Sequence, residues 1–457
     1  MTRKLGRLLV VALVVAAVVG PATLSAAIDL PTCGGITYSP TDPSHILYPT
    51  QAGALKKFYD QQVVWNYRYH GGPAPVAGSE IYYLNVDLSA MAGPLVVFPD
   101  GDALGAAPWL GTFPGGVRIV GTSGDDIICG FGNTVVKGGR GNDTMYGGAL
   151  AGNFNVLTGG PGSDMIVGSP LAFDGVLGGG GADVIYGAKT AAGPFPYADM
   201  NDDLFGGAGG DTIVGGSGHD WIGGQGGDDT IWGGIGPDDL YGGAGNDAIF
   251  ALAPGYETVS DGGGNYVLGG AGNDSITGAG GLDDLNGGPG DDTIKTGNGG
   301  DFADGGLGND SITGGTGSDA LYGGPGNDTV FGGSGTDNVF GDGVVPYAPG
   351  HSYYGLEGVD TVYGDNDGDV VVGGLGADTM YGGFGNDLIY GGYVAACESG
   401  DYAADSMYGN FGDDHFFGRV GDLDKATELT GEGIADAANE VEIILMGNIE
   451  TIIMVCP

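Results

Sequence analysis

Positive charge is what this chain has least of. Its 13 Lys and Arg stand against 57 Asp and Glu, a formal net charge of −44 over 457 residues. Nucleic acid is recognised through clustered basic residues on phosphates, so it is excluded as a partner. Histidine is scarce, with five in all, and none falls in an HExxH zinc-protease helix. Cysteine is limited to Cys33, Cys129, Cys397 and Cys456, with no CxxC, which argues against a zinc site built from these four. A G-x-S-x-G nucleophile elbow is also missing. No second apolar run of spanning length follows the N-terminus.

The one long apolar run is "LLVVALVVAAVVG", preceded by basic "MTRKLGR" and followed by small residues in "PATLSAA". That order is expected of a signal peptide over residues 1–27, cleaved after Ala27, with the remainder exported and carrying no membrane span. An even number of cysteines then suits disulfides in an oxidising compartment. Three pairings are open, and Cys397 with Cys456 is preferred because both lie near the C-terminal end.

Glycine is what the chain has most of, 103 residues. Its spacing is neither random, as in a flexible linker, nor every third residue, as in collagen. The period is nine. Little helix is expected in so glycine-rich a chain. Residues 28–120 differ in composition and read as a small N-terminal domain or cap. A short helix is expected at "QAGALKKFYDQQVVWNYRYH" (51–70), and strands at "EIYYLNVDL" and "GPLVVF".

From Gly121 a unit of the form G-G-x-G-x-D-x-U-x begins, with U apolar. Early interrupted copies place Asp126, Asp143, Asp164 and Asp183 in the sixth position. An insertion precedes Asp202, and fifteen units then follow in one register from residue 206. Their sixth positions hold Asp211, Asp220, Asp229, Asp238, Asp247, Tyr256, Asn265, Asp274, Asp283, Asp292, Asp301, Asp310, Asp319, Asp328 and Asp337. The stretch 251–268 keeps the register and reads as two degenerate repeats. A second run holds Asp360, Asp369, Asp378 and Asp387, and weaker copies place Asp405 and Asp414 in the same role. Eighth positions form an apolar column from Ile213 to Val339. Each unit is thus a six-residue glycine turn and a three-residue strand whose middle side chain points inward.

The chemistry follows from the residue types. Gly at positions one, two and four permits positive φ and removes side chains, so backbone carbonyls can face a cation. Asp adds a hard carboxylate oxygen, and Ca2+ takes about six to eight oxygen ligands in flexible geometry. No thiol or imidazole recurs, which disfavours softer metals.

The pattern resembles the hemolysin-type, or RTX, calcium-binding nonapeptide over residues 121–417. The resemblance implies an all-β fold, a right-handed parallel β-roll with a C-terminal cap over residues 418–457. It implies two units per coil and Ca2+ held between turns, with ligand aspartates pairing 18 residues apart, as in Asp211 with Asp229 or Asp283 with Asp301. Pairs at that spacing number eleven. Eleven Ca2+ would bring +22 against the acidic array, so folding is expected to be coupled to metal binding. Tyr256 and Asn265 should weaken one turn on each edge. RTX chains commonly lack an N-terminal signal and carry a C-terminal one. This chain departs from that pattern, which puts the usual export route and any toxin role in doubt.

Three further features have plain readings. Ser217, His219 and Asp220 look like a triad, but neighbours in one turn do not reach triad geometry. "DNDGD" (365–369) is out of step with an EF-hand and is better read as the start of a unit with Asp369 as ligand. Aromatic ninth positions such as Trp232, Tyr322, Phe331, Tyr363 and Tyr381 suit packing on the outer sheet face, or a surface for carbohydrate or a cell-surface protein. The expected protein is an exported, calcium-binding structural or adhesive repeat protein. An extracellular enzyme with its chemistry in residues 28–120 is the alternative.

Overall fold

A computed structural model describes the roll at residues 117–130, 134–148, 154–187, 201–253, 263–342, 358–391, 405–411 and 414–417. Outside it, strands are described at 32–33, 36–37, 45–48, 54–59, 80–87, 96–99, 425–427, 436–439 and 449–451. Among the described residues there is no helix.

Successive units alternate between two parallel sheets. In the first, Thr212–Ser217 pairs with Thr230–Ile235, which places Ile213 beside Ile231. In the second, Asp203–Ala208 pairs with Trp221–Gly226, which places Leu204 beside Ile222. A strand therefore meets its partner two units on. Each contributes one inward side chain, and those side chains form a single buried file from Ile119 through Leu204, Ile213, Ile222 and Ile231 to Phe416. Branched residues fit this column because their stiff side chains pack well on a pleated surface.

The register corrects the reading of residues 251–268. Asp239–Ala244 pairs with Tyr266–Ala271, and Ala248–Phe250 pairs with Ser275–Thr277, both 27 residues on. The stretch is one repeat, with Asn265 and Val267 in place, plus nine extra residues, not two degenerate repeats. Tyr256 and Thr258 lie outside the described residues.

The expected helix at 51–70 is also corrected. Its described part is a strand, Ala54–Tyr59, antiparallel to Glu80–Asp87. A pairing partner overrides the helix propensity of Ala, Leu and Lys. The expected strands near 80 and 96 are present and continue the roll's own sheets. Glu80–Asp87 pairs in parallel with Val117–Val120, and Val96–Pro99 with Ile127–Cys129. At the other end Lys425–Thr427 and Asp436–Asn439 extend the sheets in the same way. Cys129 is buried and disulfide-bonded. Residues 1–27, expected to be a signal peptide, and Cys397 and Cys456 lie outside the described residues.

Candidate metal centre

The turns joining the two sheets form two edges. Along each runs a column of buried aspartates, set by the same register that stacks the core. On the first edge the column is Asp126, Asp143, Asp164, Asp183, Asp211, Asp229, Asp247, Asp274, Asp292, Asp310, Asp328, Asp360, Asp378 and Asp405. Each N–H donates to Oδ1 of the next aspartate at 2.7–2.9 Å. On the second edge the column is Asp174, Asp202, Asp220, Asp238, Asn265, Asp283, Asp301, Asp319, Asp337, Asp369, Asp387 and Asp414, linked in the same way at 2.7–3.0 Å.

Every aspartate singled out from the sequence falls in one of these columns. Two members, Asp174 and Asp202, were missed because the residues before them, 169–173 and 197–201, lack the motif's glycines, although each stands nine residues before a recognised aspartate, Asp183 and Asp211. Each still precedes an inward apolar residue by two, Val176 and Leu204, and that was the available signal. Asn155 heads the second column, its Nδ2 donating to Asp174 Oδ1 at 2.6 Å. The 18-residue rule also missed neighbours such as Asp247 with Asp274, Asp328 with Asp360 and Asp378 with Asp405.

Only one oxygen of each carboxylate is used by the ladder. Oδ2 of Asp211, Asp229, Asp247, Asp274, Asp292, Asp310, Asp319 and Asp337 is buried without a hydrogen-bond partner. A buried, unpartnered polar atom is costly. Burial pushes Asp229 up to about 7; the N–H of Asp211 pulls it back and the carboxylates of Asp211 and Asp247 push it up again. Burial likewise raises Asp328 to about 9 and Asp360 to about 8. The sequence has no Lys or Arg between Lys295 and Arg419 to offset this charge.

Backbone oxygen completes the donor set. Positions two and four of the turn, for example Gly207 and Gly209, have φ of 119° and 125°. Position one does not share this conformation, contrary to expectation. Its glycine is required for space, because a Cβ on Gly206 would collide with Asp211 Oδ2. A Cβ on Gly207 or Gly209 would strike the carbonyl oxygen of Gly179 or Gly181 in the preceding coil. The edge is thus a stack of carbonyls and carboxylate oxygens with the side chains stripped away. Among the described residues no three His, Cys, Asp or Glu side chains gather into a cluster. Such a donor set fits a hard cation that accepts many oxygens in loose geometry, as Ca2+ does, and not Zn2+.

The other candidates resolve simply. Asp220 is tied into its column, while the exposed His219 ring faces Asp239 Oδ2 at 3.3 Å. Asp365 and Asp367 occupy positions two and four of a turn, each with φ of 77°, and Asp369 stands in the column. Ninth-position aromatics stack on one another: Phe331, Tyr363, Tyr381 and Tyr408 have centroids 4.6–4.9 Å apart and rings within 12° of parallel. Their faces are spent on each other.

Comparison with known proteins agrees with this geometry. The profile of the RTX calcium-binding nonapeptide repeat matches from residue 130 to 422, including continuous coverage at 198–253 and 259–343. A cation-binding parallel β-roll is the class that the fold and the columns define. The chain belongs to the RTX calcium-binding nonapeptide repeat family. The search of curated proteins found no match.

Proposed function

We propose that this is an exported protein whose roll folds on binding Ca2+ and then serves as a structural or adhesive element, with no catalytic role. One observation carries the reading: two columns of buried aspartates, in which members such as Asp211, Asp229, Asp274, Asp292, Asp310 and Asp337 keep a buried carboxylate oxygen with no hydrogen-bond partner. Without cations these carboxylates repel one another inside a fold whose core is one side chain wide per strand. With Ca2+ they become ligands, so metal affinity becomes folding free energy. Aspartates of the two columns hold the ions together with turn carbonyls. Because neighbours across the inserts also come together, the roll takes up more ions than the eleven that the 18-residue spacing counts. The disulfide at Cys129 supports an oxidising, extracellular destination.

Native mass spectrometry of the mature chain in Ca2+ and in Mg2+ tests this. More than eleven bound Ca2+ ions, with Mg2+ failing to compete, is the expected result. A chain that binds few or no Ca2+ ions would contradict it.

A further inference from the structure

In the regular coils, position two presents its backbone carbonyl to position two of the next coil. Gly207, Gly243, Gly270, Gly288, Gly306 and Gly324 each have such an oxygen nearest the point where a Cβ would stand. Gly374 departs from this rule. Its nearest atoms are Cβ and Oδ2 of Asp342, both at 2.6 Å from that point.

Asp342 stands where the motif has its second glycine. It follows Gly341, whose own Cβ position lies 2.5 Å from Asp360 Oδ2, so Asp342 and Asp360 lie side by side on one edge. The Asp342 side chain is 3% exposed. Its N–H donates to the Gly373 carbonyl at 3.0 Å, and the Leu375 N–H donates to its Oδ2 at 2.5 Å. The carboxylate therefore bridges to the next coil on the route that carbonyls take elsewhere. Asp328 and Asp360 flank it, each 1% exposed and each with Oδ2 buried and unpartnered.

We propose that Asp342 is a Ca2+ ligand outside the nonapeptide motif, and that Asp342 and Asp360, packed on Gly373–Leu375, hold the most tightly bound ion of the roll. The inference rests on the calcium-binding reading above. Asp342 exchanges a neutral carbonyl for a charged oxygen in a donor set that otherwise stays backbone-rich. Added ligand charge is a main lever on Ca2+ affinity.

The test strips Ca2+ from the loaded mature chain with increasing chelator and counts the ions retained. Wild type should keep a last, tightest class. Asp342→Asn, which retains an acceptor for the Leu375 N–H, should weaken that class by about tenfold or more. Asp342→Gly, which restores the motif residue, should do the same, and carries the test if the Asn variant does not reach the wild-type β signal in saturating Ca2+. Asp365→Gly should leave the class intact, because the carbonyl of Asp365 already faces Gly383 in the ordinary way. An unchanged last class in the Asp342 variants would overturn the assignment, as would an equal loss in Asp365→Gly. A wild-type chain that binds no Ca2+ would instead overturn the reading on which it rests.

Discussion

The two edges of the roll are built from the same nonapeptide, yet only one is complete. On the first edge the aspartate column runs unbroken from Asp126 to Asp405. A second, exposed ladder runs outside it at position five. Asn246, Asn273, Asp291, Asn309 and Asn327 each donate an N–H to the side chain of the preceding coil at 2.7–3.1 Å. On the second edge Asn265 interrupts the carboxylates, and position five holds Pro237, Gly264, Leu282 and Gly300. The difference separates two jobs that the motif merges. The outer ladder is optional hydrogen bonding. The inner column is charge that must be neutralised, and it tolerates an amide in its middle because Asn265 can still accept from Asp238 at 2.9 Å and donate to Asp283 at 3.0 Å. What the amide lacks is the second carboxylate oxygen.

The core is common to both edges, so breaking it should have the largest effect. Ile231→Ala, in the middle of the buried file, should cost about 3 kcal/mol. Thermal or denaturant unfolding in saturating Ca2+ measures it, and a loss confined to one edge would be unexpected.

Next come the columns themselves. Asp247→Asn would give the first edge the defect that Asn265 gives the second, and should remove about two bound ions, since each column residue borders two inter-coil gaps. The converse repair, Asn265→Asp, should add about two ions and raise the melting temperature in saturating Ca2+, while giving no β signal in chelator. Ion counting and paired melts decide both. An unchanged ion count and melting temperature in Asn265→Asp would show that the second edge is not metal-starved there.

A smaller effect concerns pH in the absence of metal. Column aspartates such as Asp229 and Asp310 are pushed up to about 7 in the fold, chiefly by burial. The folded state then holds protons that the unfolded chain releases, which stabilises it. That stabilisation is fully present below the ordinary carboxylate value and is lost as pH rises through about 7. In chelator, the β signal should therefore rise as pH falls from about 8 to about 5. A flat profile would show that the buried oxygens are already compensated.

The smallest effect belongs to the outer ladder. Asn309→Ala should cost about 1 kcal/mol or less and leave Ca2+ stoichiometry unchanged, because its bonds are exposed.

Much of this was legible in the sequence because the chemistry is periodic. A nine-residue spacing that couples Asp to an apolar residue two places on specifies both the columns and the core file. The failures have physical causes. The extra residues between Phe250 and Gly263 equal one period, so they hide in phase and pass for repeats; only strand pairing shows that Asp247 meets Asp274. Asp174 and Asp202 were lost for the opposite reason: they keep the nine-residue phase with Asp183 and Asp211, but the residues before them lack the motif's glycines. Asp342 was invisible because the motif assigns its position to glycine. At residues 54–59 local propensity pointed to a helix, and pairing with residues 80–87 decided otherwise.

The measurement that tests the account most directly is far-UV circular dichroism of the mature chain during a Ca2+ titration, with Mg2+ as the control. A cooperative gain of β signal with Ca2+ alone is the result predicted here. A β signal already complete in chelator would contradict it, since the single-file core would then hold the roll together with its carboxylates unneutralised.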